Sequence, residues 1–283
     1  MICEDIKISL PYLTLAAKQW QGEHQGKYLL LHGWMDNAAS FDALLPNLEF
    51  ETALAIEFAG HGHSQHRPAG VSYQFSDYIA DIALVIRQLQ WQQFSIIGHS
   101  MGGSVAMMLS LIFPEKIKNL IMIESIGPLS GTPDEEPQRL IKSIKQQWDL
   151  QHYVPKSLSS VDLATKLRMR QSDLKKESAT QLVQRGIILH KEGYHWRHDI
   201  RLLQYFPIYP TEEQVCAFMR QIACRTLVVE ASRGLLVSNQ KLKNRYDLIR
   251  GLTLISMEGG HHLHMEQPHQ LAQPLKRFLR QLE

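Results

Sequence analysis

The chain of 283 residues contains 44% hydrophobic and 20% charged residues, and its formal net charge is +2. These values are ordinary for a globular protein and exclude a strongly basic nucleic-acid-binding surface, so we expect no nucleic-acid partner. No uninterrupted apolar run approaches the ~18 residues of a membrane span, so we expect no membrane insertion. The three cysteines are odd in number and scattered, and residues 1–7 do not resemble a secretory signal. We therefore expect a protein of the reducing cytoplasm, and its oligomeric state stays open.

The N-terminal half alternates predicted strands with predicted helices. A hairpin around Pro11 comes first, and amphipathic helical patterns occur at 78–90 and 105–112. Continuous apolar runs, typical of strands buried on both faces, cover residues 28–31, 53–56, 94–97 and 120–123. We therefore predict an α/β fold with a mostly parallel central sheet flanked by helices.

The pattern changes after residue 126. Residues 127–137 are rich in proline and glycine and mark a boundary, and a polar, helix-like stretch follows to about residue 219. We predict a discontinuous core of residues 1–126 and 222–283, interrupted by a helical cap of residues 127–221.

The C-terminal part returns to the alternation of strands and helices. Strand patterns lie at 226–229 and 252–257, and a final helix follows. Its inward-facing apolar stripe consists of Leu271, Leu275, Phe278 and Leu282.

The pattern Gly98-x-Ser100-x-Gly102 lies between an apolar, β-branched run and an apolar helical run. This is the strand–turn–helix context of a nucleophile elbow, in which a strained turn exposes a serine hydroxyl. Glycines are needed on either side because a Cβ would clash where the strand and the helix approach each other. We therefore predict that Ser100 is a nucleophile rather than part of a structural turn.

A serine hydroxyl needs a base that takes its proton. Among 14 histidines, His261 is the best placed, because it follows Gly259-Gly260 directly after the last predicted strand. Active sites of open α/β sheets lie at the carboxyl ends of the strands, where this loop would sit. The alternatives are an ordinary surface loop or a metal cluster with His262 and His264. No carboxylate or cysteine pattern completes a recognised ligand set, so we predict no metal.

An oxyanion formed by attack of Ser100 needs backbone N–H donors. One is expected at Met101, directly after the nucleophile. The other is expected at Trp34, in the loop that follows the strand at 28–31. Gly33 would allow the backbone of that loop to approach the site closely.

These segments resemble the α/β-hydrolase family, and most closely its capped, serine hydrolase-like branch. The resemblance spans nearly the whole predicted core in the family's order, and the segments that carry it are 32–37, 58–64, 98–103 and 260–268. It implies an α/β-hydrolase sheet, Ser100 as nucleophile, His261 as base and hydrolysis of an ester-like bond. It requires no metal or organic cofactor.

The acid of the expected triad departs from the family pattern. Most members carry an aspartate shortly after the strand that follows the cap, and here Gly234 stands at that place. A histidine without an orienting acceptor loses tautomer control, at a cost approaching ~10⁴ in rate. We place the acid at Glu124, which ends the predicted strand before the cap, as in some capped relatives such as haloalkane dehalogenases. Glu230, on the strand after the cap, is the alternative.

The predicted function is a serine hydrolase that cleaves a small-molecule carboxylic ester or thioester, with an apolar ester as the expected substrate. Trp34, Asp36, His99 and Trp196 are the predicted substrate-binding residues. Two alternatives stay open: a related C–C hydrolase or lyase on the same fold, and a catalytically silent protein that only binds a ligand.

Overall fold

The computed structural model describes residues 1–150 and 152–280. Its strands within these ranges are β1 (Ile2–Ser9), β2 (Thr14–Gln21), β3 (Lys27–Leu31), β4 (Thr52–Ile56), β5 (Phe94–His99), β6 (Ile117–Ile123), β7 (Ile187–His190), β8 (Gly193–Trp196), β9 (Arg225–Ala231) and β10 (Thr253–Met257). Its α-helices are α1 (Phe75–Leu89), α2 (Met101–Ile112), α3 (Glu136–Leu150), α4 (Val161–Arg170), α5 (Lys176–Gly186), α6 (Glu212–Met219), α7 (Gln240–Lys243), α8 (Leu263–Glu266) and α9 (Pro268–Arg280). None of these helices is long and apolar enough to cross a membrane.

Eight strands form the central sheet in the order β1-β2-β4-β3-β5-β6-β9-β10. The β1–β2 hairpin joins the sheet in antiparallel fashion through β2 and β4, and the remaining pairs are parallel. The predicted mostly parallel α/β sheet is thus confirmed.

Helices cover both faces of this sheet, because alternate residues of the central strands are apolar and buried. Ile96 and Ile97 of β5 are both fully buried, and they belong to different core clusters. One cluster includes apolar residues of α1 and α2, and the other includes the inner face of α9. Leu282, the last residue of the predicted stripe, lies outside the described residues.

The insert, residues 127–221, adds none of its described residues to the eight-stranded sheet. It contains α3–α6 and an unpredicted antiparallel hairpin, β7–β8, which forms its own two-stranded sheet. Each of these strands has only four residues and neither is fully buried, so the sequence lacked a periodic apolar signal. Val215 and Met219 of α6 pack into the larger core cluster, so the end of the insert is anchored on the core.

A buried arginine after α7 joins the two ends of the insert. The Arg245 guanidinium donates to the carbonyl oxygens of Ile126 and Pro128 at 2.9 and 2.8 Å. It also pairs with Glu212 of α6 at 2.7 Å. This hydrogen bond outweighs the opposing effect of partial burial and lowers the pKa of the Glu212 carboxyl to about 2. Arg245 therefore fixes where the insert leaves the core and where it returns.

We expect Arg245→Met to lower the free energy of unfolding by about 3–5 kcal/mol, because it removes the arginine partner of Glu212 and leaves two buried carbonyl oxygens without their side-chain donor. Urea denaturation would measure this. Arg233→Met is the matched control, because Arg233 has 73% side-chain exposure and pairs only at the surface. It should change stability by less than about 0.5 kcal/mol. Equal stability of the two variants would contradict the anchoring role of Arg245.

Candidate active site

Ser100 lies in a strained turn between β5 and α2. Its backbone has φ 51° and ψ −118°, in a region that few residues with a Cβ adopt. A Cβ on Gly98 would overlap the backbone of Gly102, and a Cβ on Gly102 would overlap the carbonyl of Leu31. Both glycines are therefore required by close approach, and the turn presents the Ser100 side chain to a cavity.

His261 lies in the loop after β10, beside the residue that precedes Ser100. Its ring centroid is 4.8 Å from that of His99, and the distance from His99 Nε2 to the His261 carbonyl oxygen is 2.9 Å. His261 Nδ1 is 3.1 Å from Glu124 Oε2, the contact expected of a base and its orienting acid. His264 also packs against His99, with ring centroids 4.1 Å apart, but its hydrogen-bond contact is with Ser40 Oγ, 2.6 Å from its Nε2.

Glu124 follows the end of β6 and is fully buried. Its backbone has φ 50°, which turns the chain so that the side chain reaches the neighbouring strand end. The amide of Ala231 donates to Oε1 and the amide of Leu235 donates to Oε2, both at 2.7 Å. A carboxylate held by backbone amides at both oxygens is fixed in place for a third donor, His261.

Gly234 leaves the space that the Glu124 carboxylate occupies. A Cβ built on Gly234 would overlap all three atoms of that carboxylate. Gly234 stands where the family pattern expects an aspartate, and it is thus next to the Glu124 carboxylate, which follows the neighbouring strand β6. Glu230, the alternative acid, instead accepts hydrogen bonds from the Tyr246 hydroxyl at 2.7 Å and from Ser256. The structure brings Glu124, and not Glu230, to His261.

Trp34 and Met101 line the same cavity as Ser100. Within the described residues, neither the Trp34 amide nor the Met101 amide donates to a protein acceptor. Met101 is the first residue of α2, where the helix dipole adds partial positive charge. A Cβ on Gly33 would lie 2.8 Å from His99 Nδ1, so this glycine lets the Trp34 loop pass the buried His99 ring.

The cavity that contains Ser100 and Glu124 has a volume of about 470 Å³. No lysine, arginine or histidine is among the described residues that line it. The apolar part of its wall includes Trp34, Phe75, Leu129, Phe206, Ile208 and Leu236. Such a lining favours an uncharged, apolar group next to the serine.

Of the predicted substrate-binding residues, the structure brings only Trp34 to this cavity. The backbone at Met35 has φ 64°, and this turn sends Asp36 toward a second cavity of about 460 Å³. Trp196 of β8 also lines the second cavity, and His99 is buried beneath His261. Asp36, His99 and Trp196 thus lie outside the lining of the cavity that contains Ser100.

Asp36, His99 and His262 each place one ligand atom within 4.8 Å of the others, a spacing that a metal ion would fit. Protein groups already balance the charges there. Arg168 of α4 pairs with Asp36 at 2.5 Å, and Asp173 is 2.8 Å from His262. We therefore describe this cluster as an ion-pair network. Sequence reasoning missed Arg168 and Asp173, because single charged residues in a polar helical stretch carry no local signal.

Residues 29–268 match the family model described as alpha/beta hydrolase fold. The chain belongs to this family. It is similar to a probable serine hydrolase of Drosophila melanogaster, with 31% identity over 98% of this chain and 88% of the relative. A serine hydrolase-like protein of Danio rerio is 30% identical over 97% of this chain and 88% of the relative.

Solved structures agree with this assignment. A hypothetical protein from Pseudomonas aeruginosa superposes with a TM-score of 0.90 and 36% identity, over 98% of both chains. A thioesterase domain from the curacin biosynthetic pathway has a TM-score of 0.85 over 97% of this chain and 99% of that domain. At 22% identity, this second likeness shows the fold alone. The protein is thus an α/β-hydrolase of the serine hydrolase-like family.

We expect Glu124→Gln to lower kcat for an activated ester by up to ~10⁴, because an amide disturbs the tautomer and orientation of His261. Glu230→Gln is the matched control and should leave kcat within about threefold of wild type, an energy difference below about 1 kcal/mol. Steady-state hydrolysis of a p-nitrophenyl ester measures both. The reverse ranking would assign the acid to Glu230.

The exchange Glu124→Gly with Gly234→Asp extends this test. Glycine suits the positive φ at residue 124, and its small size clears the space that an aspartate at 234 needs. The double variant should therefore be more active than Glu124→Gly alone.

Proposed function

We propose that this protein is a serine hydrolase that cleaves a carboxylic ester or thioester through an acyl-enzyme. One observation carries the proposal, the 3.1 Å contact between His261 Nδ1 and Glu124 Oε2. The His261 ring also packs against His99, the residue before Ser100. Ser100 itself has the strained backbone of a nucleophile elbow. The core in this reading is residues 1–126 and 222–283, and the insert, 127–221, acts as a cap.

Acylation begins when His261 Nε2 takes the proton of the Ser100 hydroxyl and the serine oxygen attacks the substrate carbonyl. His261 Nδ1–H donates to the Glu124 carboxylate, which stabilises the imidazolium that forms. The Trp34 and Met101 amides donate to the oxyanion of the tetrahedral intermediate. His261 then gives its proton to the leaving alcohol or thiol as the bond to the acyl carbon breaks.

Deacylation repeats these steps with water. His261 removes a proton from water, the hydroxide adds to the acyl carbon, and the same two amides hold the oxyanion. Ser100 leaves with the proton from His261, which releases the carboxylic acid. No step in this scheme needs a cofactor.

The lining of the cavity supports an uncharged acyl group. The cavity of about 470 Å³ has no cationic side chain among the described residues that line it. A carboxylate or phosphate group on the acyl chain would therefore lack an ion-pair partner there. We therefore place an apolar acyl chain there. The contact between Glu124 and His261 supports an enzyme over a catalytically silent protein that only binds a ligand. Turnover of simple esters would distinguish an esterase from a C–C hydrolase or lyase on the same fold.

A fluorophosphonate probe tests the nucleophile. We expect stoichiometric labelling of wild-type protein at Ser100, because the serine oxygen displaces fluoride when His261 removes its proton. Intact-mass and peptide mass spectrometry locate the adduct. Ser100→Ala should be unlabelled, and Ser110→Ala should be labelled normally, because Ser110 is buried in α2. A folded wild-type protein that stays unlabelled would contradict the proposal.

A series of p-nitrophenyl esters tests the acyl cavity. Ile208 lines the cavity and is 67% exposed, so Ile208→Trp should narrow the cavity without disturbing the core. We expect kcat/KM for octanoyl esters to fall about tenfold, because the longer acyl chain would lose about 1.4 kcal/mol of apolar burial in the narrowed cavity. The kcat/KM for acetyl esters should change little, because the short acyl group does not reach the substituted position. Val154→Trp, at a site with 79% exposure outside the cavity lining, is the control. Equal effects on both esters would place the acyl chain elsewhere.

A further inference from the structure

His262, the residue after the proposed base, is held from two sides. Its Nδ1 is 2.8 Å from Asp173 Oδ1 of the insert, and its Nε2 is 3.5 Å from Asp36 Oδ2 of the core. The side chain is only 8% exposed. The insert and the core therefore each contact the His262 imidazole through a carboxylate.

The insert also lies directly against the backbone of the His261 loop. A Cβ on Gly260 would overlap the Asp173 carboxylate, so this carboxylate occupies the space beside the residue that precedes His261. The Lys175 amide donates to Glu266 of α8 at 3.0 Å. Residues 173–175 of the insert thus contact both the His261 loop and the short helix α8.

The network reaches the other side of the site through Asp36. Arg168 of α4 is buried and donates to Asp36 Oδ1 at 2.5 Å. Asp36 lies two residues after Trp34, whose amide we place in the oxyanion hole. These contacts therefore connect the insert to two loops of the proposed active site. One loop carries His261, and the other carries the Trp34 amide.

The loop needs such support because of its composition. Gly259, with φ 145°, and Gly260 precede His261 and allow the backbone many conformations. The His261 ring has 28% side-chain exposure, so packing encloses it only in part. Anchoring the next residue restricts the loop at the place where the ring must stay in line with Glu124.

We propose that Asp173 is a positioning residue for His261 and acts through His262, so that the catalytic histidine is held in place only while the insert is seated on the core. This inference rests on the proposed function. It adds that docking of the insert and assembly of the catalytic site are one event.

The charges of the network agree with this role. Burial alone would lower the pKa of His262, but the Asp36 and Asp173 carboxylates outweigh it and raise the value to about 9. The hydrogen bond from His262 lowers the pKa of Asp173 to about 2. Besides these carboxylates, Arg168 contributes to this balance at His262. The histidine rings that lie near His262 are His99, His261 and His264.

The signs of these shifts define a pH window. The raised pKa of His262 gives stabilisation that is complete below about 6.5, its unfolded value, and is lost as the pH rises through about 9. The lowered pKa of Asp173 gives stabilisation that is present above about 3.9 and is lost as the pH falls through about 2. The two contributions are therefore both complete between about pH 4 and pH 6.5, and the contribution of His262 is lost as the pH rises toward about 9.

The test compares Asp173→Asn with Asp162→Asn. Asp162 is also an acid of the insert, but it pairs only with Lys166 and Lys176 at the surface. We expect Asp173→Asn to slow fluorophosphonate labelling of Ser100 and to lower kcat by about 10- to 100-fold with little change in KM, since misplacement of a catalytic group by ~1 Å costs about that much. Its alkaline loss of activity should also move to lower pH, because His262 loses one carboxylate. Asp162→Asn should behave as wild type in each measurement.

Gly260→Ala gives an independent route to the same contact, because its methyl group displaces Asp173 and keeps the charge. The double variant should be no slower than the slower single variant, since both changes remove one interaction. Wild-type labelling rates in a folded Asp173→Asn variant, or additive effects in the double variant, would overturn the inference. Absence of labelling in wild type would instead reject the proposed function.

Discussion

The site depends on one buried carboxylate and its three donors. Glu124 receives the amides of Ala231 and Leu235, and His261 Nδ1 is its third partner. Moving an isolated carboxylate from water into a protein interior is costly, and these donors compensate for that cost. They also join the end of β6, the loop after β9 and the loop after β10. Loss of the carboxylate would therefore leave these two loops and the His261 side chain without a common partner.

Close approach of chain segments is the second constraint, and glycine meets it at each critical place. Gly102 lets α2 begin against the end of β3, and Gly234 leaves room for the Glu124 carboxylate. Strain at Ser100 and Glu124, both with positive φ, is maintained by the packed parallel strands around them.

Much of this organisation could be predicted from the sequence, because it arises from local patterns. The apolar runs gave the parallel strands, and Gly98-x-Ser100-x-Gly102 gave the turn between β5 and α2. The β7–β8 hairpin could not be predicted, since its short, partly exposed strands have no apolar period. The placement of Asp36 and Trp196 depended on a turn at Met35 and on the path of the insert. Both are set by long-range packing, which a single sequence does not encode locally.

Gly234 also constrains how this arrangement arose in evolution. β6 and β9 are neighbours in the sheet, so a carboxylate from either strand end can reach the same histidine. An intermediate with acids at both positions is sterically and electrostatically disfavoured, because the two side chains would share one space. A lineage that moved its acid from one strand to the other therefore passed through a form with no acid or gained the new acid together with a glycine. Relatives would then fall into two separate groups, each with one acid and a small residue at the other position.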